Sequence, residues 1–286
     1  STRNFALLAW TFLGIGLLLG SRWSYEELGW GGYWGWDPVE NAALMPFLVG
    51  TAFIHSIMVQ EKRGMLKVWN VSLIAATFCL SLLGTFLVRS GILQSIHAFG
   101  ASTVGGPLLV LIGCVAIGST VLIVSRLPDL RPERHFDSLL SREAIFLVNN
   151  LLFVLFTFTV LVGTVFPLLV EAIKGTQMSV GRPYFDRMAV PLGAALLFLM
   201  GVGPALPWCR APSAQIRDAL LPPLAGACGL TLVGLALGVR QPWTLLTLAF
   251  GGFTAQVTLG EIWLPVGQRM KANGEGFAKA FVEAQV

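Results

Sequence analysis

The chain has 286 residues, of which 55% are hydrophobic and only 12% charged, about half the charge of an ordinary globular domain. With a mean hydropathy of +0.74 and no internal repeat, it falls outside the disordered, coiled-coil and collagen-like classes. A net charge of only +4 argues against nucleic-acid binding. Cys79, Cys114, Cys209 and Cys228 form no CxxC pair and three lie within apolar runs, which suggests neither a zinc site nor a disulfide framework.

Crossing about 30 Å of hydrocarbon takes roughly 20 apolar residues of helix. About eight such runs follow in chain order, near residues 4–21, 41–60, 68–88, 105–124, 144–169, 190–206, 219–238 and 244–266. Membrane-barrel strands would be shorter and half polar, so the expected fold is all-α, a polytopic transmembrane helical bundle. Of the 19 Lys and Arg residues, the alternation of runs puts Arg3, Lys62, Arg63, Lys67, Arg126, Arg131, Arg134, Arg142, Arg210, Arg217, Arg269, Lys271 and Lys279 on one side. That side is expected to be cytoplasmic and to hold both termini. Arg22, Arg89, Lys174, Arg182, Arg187 and Arg240 fall on the other, with outer loops near residues 22–40, 89–104 and 170–188. The chain starts at Ser1 and enters an apolar run almost at once, which reads as a piece of a longer protein or as a processed or split subunit. Residues 1–206 are expected to form a membrane core, and residues 207–286 C-terminal helices with a cytoplasmic tail, the last stretch an interfacial helix or linker.

The first outer loop is the most informative stretch. Four of the nine tryptophans (Trp23, Trp30, Trp34 and Trp36) fall within fourteen residues, beside Tyr25 and Tyr33 and interspersed with Gly29, Gly31, Gly32 and Gly35. Two readings stand. Trp and Tyr favour the membrane interface; alternatively, ring faces and closely approaching glycine backbone suit a large planar apolar ligand. In Asp37-Pro38-Val39-Glu40, an Asp at N-cap, Pro at N1 and Glu at N3 make a helix start close to a capping box. A mainly structural role is expected for both carboxylates, with direct chemistry the lesser reading.

WGGYWGWDPVEN is similar to the WWD signature of the haem-handling membrane proteins of cytochrome c maturation. ENAALMPFLVGTAFIHSIMVQEKRG, LLGTFLVRSGILQSIHAF and LVGTVFPLL resemble the CcmF/NrfE branch, the haem lyase component. The resemblance covers nearly the whole chain and weakens after about Trp208. It implies a protein that receives haem on its outer face and positions it for attachment to apocytochrome c, through thioether bonds between two reduced cysteines of a CxxCH target and the haem vinyls. The haem-binding loop would comprise Trp23, Trp30, Gly31, Gly32, Trp34, Trp36, Asp37, Pro38, Glu40 and Asn41. No residue is assigned to covalent catalysis, since the loop would act by orientation. The implied partners are the haem chaperone CcmE, a CcmH-type thiol subunit and the apocytochrome. The implied place is the bacterial inner membrane, or an organellar one, with the loop on the periplasmic side.

His55 lies fourteen residues past Asn41, about 21 Å along a helix. A membrane histidine is either hydrogen-bonded to a neighbouring helix or an axial haem ligand. By resemblance it matches one of two transmembrane histidines that hold a b-type haem. His97, in an outer loop, reads as solvated on its own; by resemblance it matches one of two external histidines that ligate the delivered haem. His135 reads as solvated. The family's other two histidines lie beyond the region present here, so the rest of a longer chain or a partner subunit is expected to supply them. Arg22, Arg89, Arg182 and Arg187 are either propionate clamps or arginines snorkelling to the interface. Asn149 and Asn150 are expected to bond between helices. The chain has no CxxCH, P-loop or GxGxxG, so it carries no c-type haem of its own and shows no nucleotide motif. The alternatives are a WWD protein that transports haem or loads the chaperone, and a non-haem membrane scaffold or solute carrier.

Overall fold

The computed structural model describes residues 2–29, 32–92, 103–132, 141–208, 212–274 and 276–284. Among them no strand occurs. The helices are α1 (Thr2–Glu27), α2 (Pro38–Arg63), α3 (Lys67–Arg89), α4 (Gly105–Ser125), α5 (Arg142–Lys174), α6 (Arg182–Ala205), α7 (Ser213–Leu220), α8 (Pro223–Ala236), α9 (Pro242–Asn273) and α10 (Phe277–Ala284). Among the described residues, eight spans are long and apolar enough to cross a membrane: α1 to α6, the α7–α8 stretch Ser213–Ala236, and α9. The chain is an all-α, multi-pass membrane protein.

Each apolar run becomes helix, but several helices outrun the hydropathy that announces them. Residues 21–27, SRWSYEE, contain no Gly or Pro to stop α1, which ends before Gly29 at φ 60. Trp23 and Tyr25 therefore stand on a helix rather than in a loop. Likewise α5 continues to Lys174 and α6 begins at Arg182. The expected loop over 170–188 shrinks, and Arg182 and Arg187 are helical. α9 continues to Asn273, where Gly274 at φ 63 closes it. The tail beyond forms α10, joined to α9 by an Arg269–Glu283 ion pair at 2.6 Å.

The chain forms two compact units, one of Ser1–His135 with Leu147–Ala189 and the other of Phe136–Phe146 with Val190–Val286. In the first, α2 is the central helix. Val49, Ala52, Phe53 and Leu73 make one cluster along it, with Phe153 and Val154 of α5 packed against them. Ala42, Phe86 and Leu87 make another nearer its start. By contrast α4 has no buried residue although it is apolar on every face. In water such a helix would need a partner, whereas lipid tails solvate it as well as protein does. In the second unit, Val202, Leu206, Phe253 and Val257 form the core. There α8 and α9 meet backbone to backbone: a Cβ on Gly252 would lie 2.2 Å from the Gly226 carbonyl oxygen. The Gly226 N–H donates to Gln256 Oε1 at 2.6 Å.

Candidate functional site: a tryptophan loop held by α2, α5 and α6

The loop is built from its second end. Asp37 sits at φ −61, ψ 142 and its side chain accepts the Val39 N–H at 3.0 Å, with Pro38 at the first helical position. Glu40 reaches back to accept the Asp37 N–H at 3.1 Å, completing the capping box. The same carboxylate accepts the Gly35 N–H at 2.9 Å and the Ser24 hydroxyl at 3.2 Å. One side chain thus ties the end of α1, the loop and the start of α2 together. The structural reading of Asp37 and Glu40 accounts for these bonds.

The described rings of the loop and of the end of α1 pack on one another. Tyr25 of α1 stacks on Tyr33 of the loop with centroids 4.4 Å apart at 12°. Trp34 meets Trp36 edge-on at 6.0 Å and 86°. Trp36 itself has φ 59, left-handed backbone that a bulky L-residue rarely adopts.

Three helices hold Trp36 in that conformation. From α2, Asn41, fully buried, donates through Nδ2 to the Trp36 carbonyl at 3.2 Å and to Thr164 Oγ1 at 3.1 Å. The amide orientation follows from chemistry. The carbonyl can only accept, and the Thr164 hydroxyl hydrogen is committed to the Val160 carbonyl at 2.7 Å, so the amide nitrogen must face both. Asn41 Oδ1 is left buried without a hydrogen-bond partner among the described residues. From α6, Phe185 stacks on the Trp36 indole at 5.1 Å and 10°, and Asp186 Oδ1 accepts its N–H at 2.7 Å. From α5, Gly163 makes room for this: a Cβ there would lie 2.6 Å from both Phe185 and Tyr184. Pro167, four residues on, has no N–H to offer the Gly163 carbonyl, so the α5 ladder lacks a bond at this turn. The Tyr184 hydroxyl donates to the Thr159 carbonyl at 3.1 Å. Beside these residues lies a cavity of about 420 Å³, with Trp36, Asn41, Thr164, Glu171 and Phe185 on its walls.

His55 occupies a second place, deeper along α2. Its Nδ1 lies 3.2 Å from the Asn149 side-chain amide of α5, and its ring centroid 5.9 Å from that of Phe153. Asn149 therefore does bond between helices. Its neighbour Asn150 is fully buried, and its amide atoms have no hydrogen-bond partner among the described residues. Ser56 Oγ and Asn70 Oδ1 are likewise buried without one, although Asn70 Nδ2 donates to Gln60 Oε1 at 2.6 Å.

The structure brings together Trp34, Trp36, Asp37, Pro38, Glu40 and Asn41. It sets His55 apart from them, roughly 21 Å along the same helix. Trp23 is half exposed on α1, and Arg22 pairs with Glu26 at 2.9 Å on the same helix. Arg89 is the last residue of α3, and Arg182 and Arg187 lie exposed early in α6. Trp30, Gly31, His97 and His135 lie outside the described residues. Sequence reasoning missed Gly163, Thr164, Phe185 and Asp186. The one available signal was RPYFDR, two aromatics and an acid between arginines at a helix start. Among the described residues no cluster of three His, Cys, Asp or Glu side chains could bind a bare metal ion.

Residues 1–94 match the family described as Cytochrome C assembly protein. The cytochrome c-type biogenesis protein CcmF of Pseudomonas aeruginosa is 49% identical over 248 residues, covering 86% of this chain and 38% of that protein. CcmF of Escherichia coli K12 is 38% identical over 281 residues, 95% of this chain and 42% of its own length. From the same organism, the probable cytochrome c-type biogenesis protein NrfE is 44% identical over 198 residues, 69% of this chain and 36% of its own length. A solved structure titled Cytochrome c Heme Lyase CcmF superposes with a TM-score of 0.71 at 36% identity, covering 99% of this chain and 43% of that one. The chain spans about two fifths of the length of these relatives. Over that stretch it belongs to the CcmF/NrfE family of cytochrome c-type biogenesis proteins.

Proposed function

We propose that this chain carries the haem-handling core of a cytochrome c maturation protein, in which the tryptophan loop presents haem for attachment to apocytochrome c. The observation that carries the reading is the fixing of Trp36 by α2, α5 and α6 beside a cavity that has the Trp36 and Phe185 rings on its walls. Flat ring faces suit a porphyrin, a cavity lined by both apolar and polar residues can take its apolar ring and its polar edge, and a platform held from three sides orients its cargo. In this reading Trp23, Trp30, Gly31, Gly32, Trp34 and Trp36 form the haem surface, with Asp37, Pro38, Glu40 and Asn41 as its frame. His97 ligates the delivered iron, and Arg22, Arg89, Arg182 and Arg187 supply cations for propionates. The protein acts as a haem lyase component by orientation rather than by covalent catalysis. Residues 1–206 make up the haem-handling core and residues 207–286 the supporting helices.

His55 suits a resident b-type haem. With the Asn149 amide turned so that its oxygen accepts from Nδ1–H, Nε2 is left free for a metal, the usual arrangement of a ligating histidine. When bound, such a haem would supply one-electron chemistry, and His55 is the residue of this chain that would hold it. The second axial ligand comes from elsewhere in a longer chain or from a partner subunit.

The Lys and Arg distribution, thirteen against six, supports an inner-membrane topology with both termini cytoplasmic and the loop periplasmic. A haem chaperone of the CcmE type, a CcmH-type thiol subunit and apocytochrome c would meet it on that face. The test is holocytochrome c yield in a strain that depends on the whole protein, with Trp36→Ala compared against the parent at equal membrane insertion. A yield reduced to background supports the reading, and a normal yield overturns it.

A further inference from the structure

We propose that the first turns of α6 are a latch for the tryptophan loop, with Asp186 as the positioning residue that sets the Trp36 indole. Trp36 holds left-handed backbone at φ 59, which persists only where surrounding structure over-determines it. Asn41 fixes its carbonyl but leaves the ring free to swing. The ring is set by α6 alone among the described neighbours that bond its polar atom: Asp186 Oδ1 takes the indole N–H at 2.7 Å while Phe185 covers one face. An indole nitrogen can only donate, and a carboxylate is a strong acceptor for it.

The latch has its own anchor, independent of the loop. Phe185 is 2% exposed and sits where Gly163 has no side chain, and Tyr184 is pinned to the Thr159 carbonyl. Asp186 is therefore delivered to Trp36 by a turn already fixed on α5. Because Trp34 meets Trp36 edge-on, setting one indole sets the approach of the other. The bond joins residues 150 positions apart, so it couples the loop to a helix that the loop's own motif does not contain. The latch is a statement about Trp36; its consequence for function rests on the reading of the loop as a haem platform.

The test uses the whole protein labelled with 5-fluorotryptophan, the Trp36 fluorine resonance being assigned by its disappearance in Trp36→Phe. Asp186→Ala should shift or broaden that resonance and lower holocytochrome c yield about fivefold, the scale of one lost hydrogen bond. Asp186→Asn keeps a carbonyl acceptor and should restore most of both. In a Trp36→Phe background, which has no indole N–H, Asp186→Ala should cost nothing further. An unmoved Trp36 resonance in Asp186→Ala, or an Asp186→Asn variant no better than alanine, overturns the latch. A moved resonance with unchanged yield supports the latch and overturns the haem reading of the loop.

Discussion

The Asn149 side chain of α5 lies 3.2 Å from Nδ1 of His55 on α2, a polar contact between two apolar helices. If the Asn149 carbonyl oxygen faces the ring, the pair becomes an Nδ1–H donor and an acceptor, and the imidazole tautomer is set with Nε2 toward the metal. Asn149→Leu should weaken retention of the proposed b-type haem about tenfold or more. Asn149→Asp should lower its midpoint potential by making the imidazole a stronger donor. The reduced-minus-oxidised spectrum with a redox titration checks both, and His55→Ala should abolish the spectrum altogether.

Glu40 accepts hydrogens from Ser24, Gly35 and Asp37. Glu40→Ala releases all three at once, at a cost of about 1–3 kcal/mol for the groups left unpaired. A lower melting temperature in detergent would show this, whereas Glu40→Gln, which still has one carbonyl acceptor, should lose less.

At Asp37 the side-chain bond goes to the Val39 N–H, which Asn can accept as well as Asp. Asp37→Asn should be mild and Asp37→Leu should cost about 1 kcal/mol of helix stability. Equal, complete loss of cytochrome c assembly in both variants would instead mark a role for the charge.

Gly163 faces Phe185 and Tyr184 with no room for a methyl group. Gly163→Ala should destabilise by about 1–3 kcal/mol through overpacking and should displace the turn that carries Asp186. Adding Phe185→Leu should recover part of the thermal stability but not the stacking on Trp36. Full stability in Gly163→Ala alone would contradict the packing.

His97, which lies outside the described residues, is expected to ligate the delivered haem. His97→Gly should lose that haem and regain part of it with added imidazole, followed by Soret absorbance. An unchanged spectrum would remove the assignment.

The eight spans were legible because hydropathy over some twenty residues is a strong local signal. The capping box was legible because Asp37, Pro38 and Glu40 act within one turn. Helix ends were less so: α1 carries Trp23 and Tyr25, since polar residues extend a helix until a glycine stops it. The hold on Trp36 was not legible, because Asp186 and Phe185 reach it only through the packing of α6 on Gly163. Asn149 stood out as a polar residue in an apolar run, but nothing along the chain pairs it with His55 rather than with another helix.

Asn41 lines the cavity beside Trp36, and its buried Oδ1 has no hydrogen-bond partner among the described residues while both hydrogens of its own amide are spent. A buried acceptor without a donor is a demand on whatever binds beside it. The methyl and vinyl edges of a porphyrin carry no hydrogen it can take. Under the proposed haem reading, a tetrapyrrole seated there would meet Asn41 with a protonated carboxyl or through a bridging water. Asn41→Leu removes that acceptor together with the bonds to the Trp36 carbonyl and Thr164, so it should loosen Trp36 as well as change which edge of a bound macrocycle faces inward.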